Sequence, residues 1–163
     1  MQKIIPCLWF DTNAEEAANF YISIFMNSKI GKISRYGKEG YEIHGKPEGT
    51  VLTVEFELNG QTFTALNRGP AFKFNEAISF QVHCESQNEV DYYWEKLSKG
   101  GDEKAQQCDW LKDKYGVSWQ IVPTVFRRDV ARQGLEEIGK SDEVDASMKK
   151  IDVRTLEKAY EQK

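Results

Sequence analysis

Hydrophobic and polar positions along the chain form one series of strand and helix patterns, which then begins again. Residues 4–10 are a continuous apolar run broken by Pro6, as in a short strand near a sheet edge. Asn13 is a natural N-cap, and Glu16 stands three positions on, where it returns the capping bond. Ala17, Phe20, Tyr21, Ile24 and Phe25 then recur at helical spacing, which predicts an amphipathic helix to about Asn27. Residues 30–36 predict a strand, and a loop with Gly37, Gly40, Gly45, Pro47 and Gly49 follows. Residues 51–58 alternate strictly, with Leu52, Val54, Phe56 and Leu58 on one face and Thr53, Glu55 and Glu57 on the other. Asn59-Gly60 is a strong two-residue hairpin signal, and residues 61–66 return as the next strand.

The second series starts with a strand at 78–84. Ser86 and Glu89 form a second capping-box pair, and Val90, Tyr93, Trp94 and Leu97 follow at helical spacing. An offset of 73 lays Asn13 on Ser86, Glu16 on Glu89, Phe20-Tyr21 on Tyr93-Trp94 and Ile24 on Leu97. Gly100-Gly101 ends the helix. A weaker strand at 105–108, a turn at 113–116 and a strand at 117–122 complete the half. The pattern predicts an α+β chain of two βαβββ modules, about 1–72 and 73–123. Residues 124–163 read as a charged C-terminal helical tail. There, Val153, Leu156, Ala159 and Tyr160 form an apolar stripe behind Asp152, to be covered by the chain's own core or by a second subunit.

Composition limits what such a chain does. The 163 residues are 40% hydrophobic and 29% charged, ordinary globular values that exclude wholesale disorder. No apolar run approaches the roughly 20 residues that cross a bilayer, and the first residues lack a signal peptide's apolar stretch. The expectation is a cytoplasmic protein with no membrane partner. The net charge is −4, and the tail holds nine basic and nine acidic residues, so the acidic surplus lies before it. That balance argues against nucleic acid, whose phosphates require basic surplus. Arg127, Arg128 and Arg132 make the densest basic spot, and Asp129 interrupts it.

Cys7, Cys84 and Cys108 are widely spaced, with no C-x-x-C pair, and so point to neither a disulfide framework nor a zinc site. Cys7 and Cys84 lie in apolar runs, where a thiol behaves as a small buried hydrophobe. Cys108 lies in a polar loop, as the more reactive candidate. His44 and His83, the two histidines, sit at no paired metal-ligand spacing.

The stretches CLWFDTNAEEAANFY (7–21), LNRGPAFKFNEAISFQV (66–82), QNEVDYYWEKLSKGG (87–101), DWLKDKYGVSWQIVP (109–123) and MKKIDVRTLEKAY (148–160) resemble the PhnB-like family, also described as 3-demethylubiquinone-9 3-methyltransferase domains. That family lies in the vicinal oxygen chelate superfamily, with glyoxalase I, extradiol dioxygenases and bleomycin-resistance proteins. The resemblance implies two modules curling into a half-open barrel around a concave pocket, and a homodimer. The superfamily's metal enzymes carry His or Glu on four cup-facing strands. Here residues 4–10 and 77–80 hold no such residue, residues 64–67 are neutral, and Gln120 stands where those enzymes commonly have Glu. Glu76 lies one residue outside the expected position. A neutral amide is a poor ligand for a hard cation, so no metal is expected. No G-x-G run is present for a conventional S-adenosylmethionine site, so no cofactor is expected either.

What remains is a metal-independent binder of a small, ring-bearing ligand, or an enzyme of unknown chemistry, the family's methyltransferase included, or a module whose partner is another protein. Strand parity and the resemblance give Cys7, Trp9, Asn67, Gln81, Trp110 and Gln120 as pocket candidates. Gln120 shares its face with Ser118 and Val122, opposite Trp119 and Ile121. Trp9 and Trp110 read first as core-filling residues and second as pocket walls. Arg68 reads first as a loop residue and second as a contact for an anion. Asp113 and Tyr115 read as turn-forming residues before Gly116.

Overall fold

A left-handed pair at Asn59 (φ 45°) and Gly60 (φ 84°) joins strands β3 (Val51–Leu58) and β4 (Gln61–Asn67), the tight hairpin that Asn-Gly encodes. The computed structural model describes residues 3–124 and 149–154. The chain folds as two compact units, Met1–Phe74 and Asn75–Lys163.

In the first unit, β1 (Cys7–Phe10) leads into α1 (Ala14–Ile24), then β2 (Lys29–Arg35), a single helical turn α2 (Tyr41–His44), and the β3–β4 hairpin. The sheet order is β1-β4-β3-β2, with β1 parallel to β4 and the other pairs antiparallel. The face carrying Val54, Phe56, Phe63 and Ala65 is buried beneath α1, where Tyr21 stacks on Phe56 at 6.0 Å. The α2 turn is absent from the periodic pattern because it spans only four residues, set between left-handed glycines at 40 and 45.

Asn13 makes no side-chain cap on α1, contrary to its sequence signal, because its backbone (φ −108°, ψ 25°) is not the extended one a capping side chain requires. The acceptor comes from across the sheet: Asn67 Oδ1 takes the Ala14 N–H at 2.8 Å.

The second unit contains β5 (Ser79–Cys84), α3 (Gln87–Ser98), a 3₁₀ turn (Glu103–Ala105), β6 (Trp110–Lys112) and β7 (Ser118–Pro123). Its sheet runs β5-β7-β6, with β5 parallel to β7 and β6 antiparallel to it. Here the capping signal holds. Ser86 Oγ accepts the Glu89 N–H at 3.3 Å, and Glu89 reaches back to the Glu85 N–H at 2.6 Å.

The strand expected at 105–108 is displaced. Residues 103–105 form the 3₁₀ turn, Gln107 makes only an isolated bridge to Trp110, and the paired strand lies at 110–112. The cause is local. Asp102 caps the 3₁₀ turn through the Lys104 N–H at 2.9 Å, and β7 pairs with Trp110–Lys112 instead.

Part of the tail covers its own unit. Ile151 and Val153 are buried, and the Gln87 amide holds the segment from both sides, donating to Ile151 O at 3.3 Å and accepting Val153 N–H at 2.8 Å. Leu156, Ala159, Tyr160 and the Arg127–Arg132 cluster lie outside the described residues.

Candidate functional site

The six candidate residues fall into two groups, one in each unit. Cys7 and Trp9 occupy alternate positions of β1 on the face opposite Leu8 and Phe10, which are buried. Cys7 is exposed, which corrects the expectation of a buried thiol: β1 is an edge strand, and the parity of Cys7 turns it away from α1. Trp9 is half-buried, donates its indole N–H to Gly69 O at 2.8 Å, and meets Phe72 edge-on at 4.8 Å. It fastens the loop after β4 to β1.

Asn67 lies on the other face, in register with Phe10. It is 3% exposed, and both ends of its amide hold backbone: Oδ1 accepts from Ala14 N, and Nδ2 donates to Val51 O at 3.1 Å. Its own carbonyl accepts the Tyr36 hydroxyl at 2.7 Å. Asn67 is therefore a joint of the first unit's core, on the face away from Cys7 and Trp9. Arg68 is exposed. His44 packs its ring on Tyr36 at 4.5 Å and accepts the Lys46 N–H at 3.0 Å, a structural role.

In the second unit the sheet brings three candidates into one row. Gln81 of β5 pairs in register with Gln120 of β7, and Gln120 with Trp110 of β6. Paired residues share a face, so these side chains stand side by side on the surface opposite Val82, Cys84, Leu111, Trp119 and Ile121. Gln81 Nε2 donates to Gln120 Oε1 at 3.0 Å, and Gln120 Nε2 donates to Ser79 Oγ at 2.7 Å. The result is a chain of neutral dipoles whose geometry each member fixes for the next.

Next to this row lies a cavity of about 340 Å³, contained in the second unit. Trp110, Leu111 and Ala105 give it apolar wall; Lys104, Lys112 and Glu76 bring charge to its rim. Ser118, in register with Lys112, lines it as well. Lys112 and Glu76 form an ion pair, and that hydrogen bond holds the Glu76 carboxyl below the usual carboxylate range. Ser118 is 1% exposed, and its hydroxyl has no hydrogen-bond partner among the described residues. A buried hydroxyl without a partner is uncommon.

Cys108 also lines the cavity. It sits with Asp109 at the corner of a two-residue hairpin closed by Gln107 and Trp110, whose N–H and C=O groups exchange bonds at 3.1 and 2.9 Å. Both corner residues are left-handed (φ 48° and 69°), a conformation that costs a side-chain-bearing residue about 1–2 kcal/mol. The strain is held by the Ile121 N–H bonding to Asp109 O at 3.0 Å. Asp113 is buried and wholly structural. Its Oδ1 accepts the Tyr115 and Val117 N–H groups at 2.9 and 3.0 Å, and its Oδ2 takes the Trp119 indole at 2.9 Å.

Sequence reasoning passed over Lys104, Lys112 and Ser118. The signal for Ser118 was present in its shared face with Gln120. Lys112 was hidden by the displaced strand: with β6 at 110–112, Lys112 falls two positions from Trp110 and on its face.

The superfamily resemblance implies a divalent ion, and the donors present do not fit one. Gln81 and Gln120 are neutral and bonded to one another, and the Glu76 carboxylate is taken by Lys112. Among the described residues, no three of His, Cys, Asp and Glu gather in one place. No helix among them is long and apolar enough to cross a membrane.

The family model described as 3-demethylubiquinone-9 3-methyltransferase matches residues 2–122. The PhnB protein of Bacillus cereus, which carries the same methyltransferase description, is 40% identical, with 75% of this chain and 99% of that one covered at a TM-score of 0.65. A protein from Pseudomonas aeruginosa, 16% identical, covers 76% of this chain and 98% of its own at a TM-score of 0.55, a likeness of fold. Among curated proteins, none matches the chain.

Proposed function

This chain belongs to the 3-demethylubiquinone-9 3-methyltransferase (PhnB-like) family of the vicinal oxygen chelate superfamily, and we propose that it is a metal-independent binder of a small, ring-bearing molecule. The observation that carries the reading is the cavity of about 340 Å³ bordered by Trp110, in register with the Gln120–Gln81 amide row. That volume is within the range of small-molecule pockets, and an apolar wall beside a few fixed polar groups is their usual chemistry. Trp110 supplies a flat face for a ring, and Lys112 and Ser118 bring polar groups to the same cavity. The same reading takes the protein as cytosolic and, as the family resemblance implies, as a homodimer.

The family's description also names methyl transfer, which supplies a second reading and a direct comparison. Thermal shift and calorimetry on chelator-treated protein, with naphthalene-based fragments and with S-adenosylmethionine, test both. Saturable fragment binding that persists without metal and falls at least tenfold in Trp110→Ala supports the binder. Binding that appears only on adding a stoichiometric divalent ion overturns it, and a clear S-adenosylmethionine shift promotes the methyltransferase.

A further inference from the structure

From the rim of this cavity we infer that its ligand is a small aromatic anion, and that the Glu76 carboxylate, paired with Lys112, stands in the place the anion takes. The inference rests on the binder reading above and names the class of molecule. Trp110 and Lys112 are alternate residues of β6 and so share a face, and Ser118 is the register partner of Lys112 on β7. An ammonium, a hydroxyl donor and an aromatic wall therefore line one cavity from one face of the sheet.

One of these groups has no partner among the described residues, and another holds one that an anion replaces. The Ser118 hydroxyl is buried and lacks an acceptor among the described residues. Lys112, its side chain 23% exposed, is neutralised by Glu76, whose side chain is 59% exposed and stands ahead of β5 rather than in the sheet. With Lys104, the rim has two ammonium groups and one carboxylate. An entering carboxylate or sulfonate takes over Lys112 and supplies the acceptor that Ser118 lacks, while Glu76 swings into water. Lys112 exchanges one counter-ion for another, so its charge is never left bare. A neutral ligand brings no charge with which to displace Glu76 from Lys112.

The test is calorimetry of the full chain with 2-naphthalenesulfonate and its uncharged twin, 2-naphthalenemethanol. Glu76→Gln removes the internal competitor and is expected to tighten the sulfonate at least threefold while leaving the alcohol unchanged. Ser118→Ala is expected to weaken the sulfonate by about tenfold or more, the worth of one hydrogen bond to a charged group. Lys112→Gln is expected to weaken it more than tenfold, with a thermal melt checking that the variant folds. If Glu76→Gln leaves sulfonate affinity unchanged or lowers it, or if both probes bind alike in every variant, the anion assignment falls and the binder reading stands. If neither probe binds the wild-type protein, both fall.

Discussion

Asn67, at the end of β4, caps α1 by accepting the Ala14 N–H at 2.8 Å, a bond that spans 53 residues of sequence. The same amide holds Val51 O, so one side chain satisfies two buried backbone groups on different elements. Asn67→Ala leaves both unpaired, at about 1–3 kcal/mol each. Urea denaturation is expected to show a loss of about 2–5 kcal/mol. Asn13→Ala, which removes no cap, is expected to change stability by less than about 0.5 kcal/mol. Equal losses at the two positions would show that Asn13 caps the helix in solution.

Asp113 closes the turn between β6 and β7 with a division of labour between its oxygens: Oδ1 takes two backbone N–H groups and Oδ2 the Trp119 indole. Asp113→Asn must present an NH₂ to one of these donors. The expected cost is about 2–3 kcal/mol, the loss of a buried charged-group bond. A shift in tryptophan emission is expected as well, since Trp119 is itself buried. A stable variant with unaltered emission would argue that the turn rests on Gly116 alone.

Much of this architecture is legible in the sequence wherever a local signal coincides with the packing. Alternation at 51–58, Asn59-Gly60 and the Ser86–Glu89 pair each specify what the fold shows, because strand period, turn chemistry and capping are properties of short segments. The failures lie where a tertiary partner replaces the local one. Asn13 carries the right side chain, yet Asn67 reaches the helix first, and nothing near position 13 encodes that. The site was half legible for the same reason. The parity of β7 aligned Gln120 with Ser118, but Lys112 became visible only once β6 was found at 110–112 rather than 105–108. Glu76, one residue away from the position of a superfamily metal ligand, is paired with Lys112 instead.

Burial pushes the Cys84 thiol up from the ordinary 9.0 to about 12, and the carboxylates of Glu89 and Asp109 add to the effect. Below pH 9 the thiol is protonated in both the folded and the unfolded chain, and its contribution is fully present. As pH rises from 9 toward 12, only the unfolded chain ionises, so stability is lost across that window. Denaturant midpoints for wild type and Cys84→Ala from pH 8 to 11 are expected to diverge in slope, with the wild type falling faster; parallel slopes would contradict the shift. At pH 8, a thiol-directed reagent is expected to label the exposed Cys7 of the native protein and to spare Cys84 until unfolding.

Gly100 and Gly101 both follow α3, for different reasons. Gly100 is left-handed (φ 78°), and a side chain there would meet only Lys114 Cβ at 3.5 Å. Gly100→Ala thus carries a conformational cost alone, about 1 kcal/mol. A Cβ on Gly101 would stand 1.9 Å from Lys112 O, and backbone cannot swing aside as a side chain can. Gly101→Ala therefore displaces β6, at about 3 kcal/mol or more. Because β6 carries Trp110 and Lys112, the same substitution is expected to lower affinity for an aromatic sulfonate, while Gly100→Ala retains it. Comparing the two variants by urea denaturation and by calorimetry separates chain conformation from the position of β6. Equal affinity in both would mean that the strand's position does not govern the cavity.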